Sequence, residues 1–179
     1  MTESWDWRTK YRVWEANRKV FVYPENWIEP DLRPSSRTLV ELREVVKVAR
    51  TQRTSVLLTS TTPDVTLVAG GAVAADLARD LYRVDLNQVV SKFIGETEKN
   101  LKLVFESAER ARAVLLLDEA DALFGKADIS YLLKRIEAFE GLAILATNLK
   151  RQEVEPLLRR FAFVLDHPTV ESDGSGRAS

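Results

Sequence analysis

From Ser35 onward the apolar positions keep two rhythms in turn. Leu39, Leu42, Val45, Val46 and Ala49 recur at helical spacing behind Thr38-x-x-Glu41, a capping-box pattern, which predicts a helix over 38–52. SVLLT (55–59) and VTLVA (65–69) read as short apolar strands on either side of the turn signal Thr62-Pro63-Asp64. A helix over 72–80, the strand YRVDL (82–86) and a helix over 96–112 follow. Leu101, Val104, Phe105 and Ala108 give that last helix its buried face. AVLLL (113–117) and LAILA (142–146) are apolar throughout, the pattern of strands covered on both faces. Between them lies a helix over 129–140 with Gly141 as its C-cap. A short helix over 153–160 and the strand FAFVL (161–165) complete the series.

Helices that alternate with fully apolar strands predict an α/β fold, a mostly parallel sheet with helices on both faces. Residues 1–34 stand apart as a Trp/Pro-rich arm. They hold all four tryptophans, Trp5, Trp7, Trp14 and Trp27, and Pro24, Pro30 and Pro34 punctuate their end. The expectation is a short helix over 8–20 and extended chain over 21–34. The aromatics either pack on the main domain or form a docking surface for a protein partner. Residues 35–168 form the core domain, and the polar, glycine-containing stretch 169–179 is expected to be a disordered tail.

Composition narrows the chemistry. A net charge of −1 argues against general attraction to nucleic acid or an anionic membrane. With no cysteine and a single histidine, His167, thiolate and histidine-rich metal sites are excluded. The amino-terminal residues lack a signal-peptide core, and no apolar run is long enough to span a bilayer, so a cytoplasmic location is expected.

The strongest chemical signal is Leu115-Leu116-Leu117-Asp118-Glu119-Ala120-Asp121. A parallel strand delivers the residues after it to the carboxyl edge of the sheet, where such folds bind ligands. Asp118 there suits a magnesium ion, and Glu119 suits polarising a water for attack on phosphorus. The same pair also reads as a solvated acidic turn. Thr147 and Asn148 follow LAILA at the equivalent edge, where an amide can orient a water or simply make a turn.

Taken together, SKFIGETEKN, LLLDEAD, ATN and LLRR, in that order, resemble the AAA+ ATPases over residues 35–168, especially those encoded with contractile injection systems. The resemblance implies a three-layer sandwich of P-loop NTPase type, ATP and Mg2+ as cofactors, and assembly into a homo-oligomer or an ATPase ring. It implies that Asp118 and Glu119 are the Walker B metal ligand and catalytic carboxylate, and Asn148 the sensor. Arg159 or Arg160 would be a finger reaching a neighbouring subunit, with a solvated helix end as the plainer alternative. Lys92, Phe93, Ile94 and Gly95 would form a pore loop that grips polypeptide, unless Phe93 is a buried core aromatic. YRVWEANRKVFVYPENWIEPDLR (11–33) resembles part of the insecticidal toxin-complex proteins.

The chain departs from the AAA+ pattern at the phosphate loop. Where the family has a glycine-rich loop ending in Lys-Thr, LVAGGAVAADLARD (67–80) offers Gly70 and Gly71 between an expected strand and helix, a weak anion site at best. Gly125-Lys126 has neither the partner glycine nor the following hydroxyl, and the segment after it is short. Nothing after Pro168 resembles the helical lid domain. Three functions follow as expectations: an ATPase by ancestry with weak or absent hydrolysis, a nucleotide-independent interaction or scaffold module, or a recombined product with no selected role.

Overall fold

A computed structural model describes residues 11–25 and 32–172. Seven strands form one sheet in the order β2-β1-β5-β6-β7-β4-β8. They are β1 (Tyr11–Glu15), β2 (Val20–Val22), β4 (Thr54–Thr59), β5 (Leu81–Asp85), β6 (Val114–Asp118), β7 (Leu142–Ala146) and β8 (Phe163–Asp166). Every pairing is parallel except that of β2 with β1. A second, two-stranded sheet pairs β3 (Leu32–Pro34) with β9 (Val170–Ser172).

Period-two alternation in the buried strands splits the core in two. Leu57, Leu115, Leu117 and Leu145 face α3 (Glu96–Ala111) and α4 (Asp128–Ala138), where they meet Leu101, Val104, Phe105 and Leu132. Val56, Leu58, Leu116 and Ile144 face α1 (Ser36–Ala49) and α2 (Pro63–Asp76), against Leu42, Val45, Val46 and Val73. The result is the expected three-layer α/β sandwich. Every residue of β6 and of β7 is buried.

Several local readings are corrected. VTLVA is not a strand. Thr62 is the N-cap of α2, Pro63 opens its first turn, and Asp64 complements the helix dipole there. The helix is apolar all round because sheet and helix both cover it, so it shows no helical period. Gly70 and Gly71 therefore lie mid-helix and buried, not at a strand–helix junction. The helix expected over 8–20 is instead, from Tyr11, a hairpin of β1 and β2 joined by a turn at 16–19. The cap of α1 is Ser35, whose hydroxyl accepts from the Thr38 amide at 3.4 Å. Gly141 is not a left-handed cap, since α4 ends with Phe139 extended. The stretch 151–160 is a 3-10 segment interrupted at Val154, with Pro156 inside it.

The arm belongs to the sheet rather than lying on it. β1 pairs with β5 in the register Tyr11↔Leu81 and Val13↔Arg83. Tyr11 and Trp14 are buried. Trp5, Trp7 and Trp27 lie outside the described residues. β9 carries ordered chain to Ser172, beyond the 168/169 boundary, and 173–179 also lie outside. Among the described residues no helix is long and apolar enough to cross a membrane.

Candidate functional site

Four parallel strand ends converge on one edge. β6 ends in Asp118, β5 in Asp85, β4 in Thr59, and β7 leads into Thr147 and Asn148. Asp118 is buried and bonded at both oxygens. Its Oδ2 accepts from Arg83 Nη2 at 2.7 Å and Arg83 Nε at 3.2 Å, and Thr66 Oγ1 lies 2.9 Å away. Its Oδ1 accepts from the Glu119 amide at 2.9 Å. Arg83 Nη1 reaches on to the Tyr11 hydroxyl at 3.3 Å. Burial opposes the charge on Arg83, but Tyr11 and Asp118 outweigh it and raise its pKa above the ordinary arginine value.

Glu119 sits in the left-handed region at φ 60°, ψ 47°, a conformation that costs a non-glycine residue about 1–3 kcal/mol. Burial, then the neighbouring Asp118, Asp85 and Asp121, push its carboxyl above the ordinary carboxylate range. Arg83 offsets part of that. Asp121 faces the next strand end. It accepts from the Thr147 hydroxyl and, at 3.3 Å, from the Asn148 amide.

The turn after β4 lies where a phosphate loop would lie, between a core strand and the helix behind it. Ser60 turns the chain at φ 52°. Its amide donates to the Leu149 carbonyl at 2.8 Å, and the Thr61 amide donates to the Thr147 carbonyl at 3.2 Å. Pro63 has no amide hydrogen to offer. A cavity of about 150 Å³ remains, lined by Thr61, Thr62, Pro63, Asp118, Glu119 and Asn148. Small-molecule pockets usually run from roughly 300 to 1,000 Å³, a range reached at this edge by the neighbouring cavity of about 540 Å³, which shares Thr62 and Asn148 and is lined also by Ser60, Lys150, Arg151 and His167. An adjoining cavity of about 240 Å³ is walled by Val13 and Trp14 of the hairpin and by Arg83 and Asp85.

Asp118, Glu119 and Asn148 are thus brought together, whereas Gly70 and Gly71 are not part of the edge. Arg159 and Arg160 lie at the opposite end of the sheet, in a cleft with Thr54 and Ser55 at the start of β4. The length of that strand, roughly 17 Å at about 3.3 Å per residue, separates them from the turn at Ser60. Arg160 is paired with Glu137. Phe93 and Ile94 are not core residues. They are 64% and 106% exposed on the loop before α3, where Lys92 reaches over the Phe93 ring and Gly95 turns at φ 77°.

Sequence reasoning missed Arg83, Thr66 and Tyr11. One signal was present, because a cation at the centre of the strand YRVDL needs a buried partner. Among the described residues no three His, Cys, Asp or Glu side chains converge as a metal-binding set.

A model of the ABC toxin N-terminal region matches residues 1–43, and a model of the ATPases associated with various cellular activities matches 66–169. An uncharacterized AAA family ATPase of Sinorhizobium fredii is 35% identical over 117 residues, 58% of this chain. The chain spans only 36% of that relative's length. The crystal structure of the FIGL-1 AAA domain in complex with ADP superposes with a TM-score of 0.60 at 22% identity, over 74% of this chain and 52% of that one. That likeness gives the fold. The second model covers more than half of the 179 residues, and the chain therefore belongs to the family of ATPases associated with various cellular activities.

Proposed function

We propose that the chain is an AAA-fold interaction module that engages protein partners without turning over ATP. One observation carries this reading. The Ser60 and Thr61 amides, which would have to face phosphate oxygens, are already bonded to the carbonyls of Leu149 and Thr147. No lysine lines the 150 Å³ cavity above Asp118, the cations Lys150 and Arg151 line the neighbouring cavity on the far side of Asn148, and Asp64 places a negative charge in the first turn of α2. Each lost charge-assisted phosphate contact forgoes about 1.5–3 kcal/mol. The residues present do not fit Mg2+-ATP.

The exposed pair Phe93 and Ile94, with Lys92 beside them and Gly95 at the hinge, is the contact we assign to a polypeptide. Burial of Trp14 makes the hairpin part of the scaffold, so a partner for the toxin-like arm would have to use other residues. Assembly with a second copy, or into an intact ATPase ring, would bring Arg159 or Arg160 towards a neighbour's site.

One observation favours a second reading, residual ATP hydrolysis. Glu119 and Asn148 share a cavity with Asp118, as a water-positioning set would. Titration of a fluorescent ATP analogue with Mg2+ separates the two. The module reading expects no saturation below millimolar concentration. Micromolar binding, with hydrolysis abolished by Glu119→Gln, would overturn it.

A further inference from the structure

Asp118 is 4% exposed, and a carboxylate so buried must be neutralised or hydrogen-bonded on all sides. In a metal-dependent site a divalent cation shares that task. Here an arginine carries it. Arg83 stands two residues before Asp85 on β5, and Asp85 is in register with Asp118 on β6, so Arg83 projects from the same face of the sheet. Its guanidinium brings two nitrogens to Oδ2, at 2.7 and 3.2 Å. Thr66 Oγ1, which also lies 2.9 Å from the Pro63 carbonyl, stands at the same oxygen, and the Glu119 amide donates to Oδ1. A carboxylate offers about four acceptor positions, and four donor atoms from three residues lie against this one, three of them at Oδ2.

The same arginine ties the hairpin to the core. Its remaining nitrogen donates to Tyr11 on β1, so β1, β5, β6 and α2 meet at a single charge. A guanidinium stays charged at every working pH and matches a carboxylate with a planar fork. We propose that Arg83 is a resident counter-cation standing in the metal's place at Asp118. The acidic strand end is thereby a metal-independent node joining the toxin-like hairpin to the AAA core. The inference rests on residues other than those of the Ser60 turn and goes beyond the module reading.

The test is thermal unfolding of the full chain with and without millimolar Mg2+ or Mn2+ at matched ionic strength. Wild type, Arg83→Met, Asp118→Asn and the double variant are compared. Wild type should not respond to metal. Arg83→Met should melt lower by roughly 10 °C, because it strands a buried charge, and should regain part of that loss with metal. The double variant should melt above Arg83→Met and show no metal response. If Arg83→Met does not fold, folding of the double variant supports the node, and its failure to fold overturns it. A metal-induced rise in wild type equal to that of Arg83→Met overturns it as well. So does a double variant that loses the sum of the two single losses. Saturable ATP-analogue binding with no wild-type response to metal alone would sink the module reading and leave this one standing. A wild-type metal response without nucleotide binding would do the reverse.

Discussion

Phe21 of the hairpin stacks on Tyr82 of β5, ring centroids 4.3 Å apart and planes tilted by 34°. Trp14 meets Phe21 edge-on at 5.2 Å, closing an aromatic row across the first three strands of the sheet. The hairpin therefore covers an edge that would otherwise expose the unpaired backbone of β5.

Removal of the buried tryptophan at one end of that row should damage the fold and not merely an interface. Trp14 is 6% exposed, and Trp14→Ala is expected to cost about 3–5 kcal/mol in urea unfolding. Phe21→Ala, at a half-buried position, should cost less. Wild-type stability for Trp14→Ala, together with loss of a partner in pull-down, would return the tryptophan to a docking role.

Glu119 should weaken the fold near neutral pH. Its carboxyl is held above the ordinary value of 4.5, so the folded state binds the proton more tightly than the unfolded chain does. The penalty is full above the folded pKa, shrinks as pH falls through it, and is gone below the unfolded value. Glu119→Gln should therefore melt higher than wild type at about pH 7 and match it at about pH 3.5, below the reference carboxylate range. Equal differences at both pH values would mean that the effect is steric.

The parts of the site legible in the sequence were those written locally. LLLDEAD and LAILATN are apolar runs with abrupt polar ends, and as strands buried on both faces they deliver Asp118 and Asn148 to the carboxyl edge. The helix α3 announced itself through the spacing of Leu101, Val104, Phe105 and Ala108. The helix α2 did not, because eight of its fourteen residues are buried and a short apolar run has no face to reveal. Arg83 was visible as an odd cation, but its partner depended on the register of β5 against β6, a pairing across 35 residues of chain. The closed turn at Ser60 depended in the same way on carbonyls of Thr147 and Leu149, supplied from another strand end.

The loop before α3 separates binding from stability. Phe93 and Ile94 project into solvent, so Phe93→Ala and Ile94→Ser should change unfolding free energy by no more than about 0.5 kcal/mol. If the pair grips polypeptide, binding of fluorescently labelled casein, an unstructured probe, should weaken by at least roughly tenfold in either variant. Unchanged casein anisotropy curves would remove the loop from the contact surface.

Gly70 is where the sequence most resembled the remnant of a phosphate loop, and its structural setting gives it a packing role instead. A Cβ there would stand 3.1 Å from Leu116 Cδ2 and 3.4 Å from Leu81 Cδ1. Both leucines are almost fully buried, at 0% and 1% exposure, so neither side chain has free space to swing into. Alanine would gain about 1 kcal/mol of helix propensity in α2. Overpacking a closed core costs about 1–3 kcal/mol, so Gly70→Ala should come out neutral to about 2 kcal/mol destabilised. Gly70→Val, with two more carbons against the same leucines, should lose more. Urea unfolding of the two variants decides it. A gain of about 1 kcal/mol for alanine, the full propensity term, would mean that α2 does not approach β5 and β6 closely enough to require glycine.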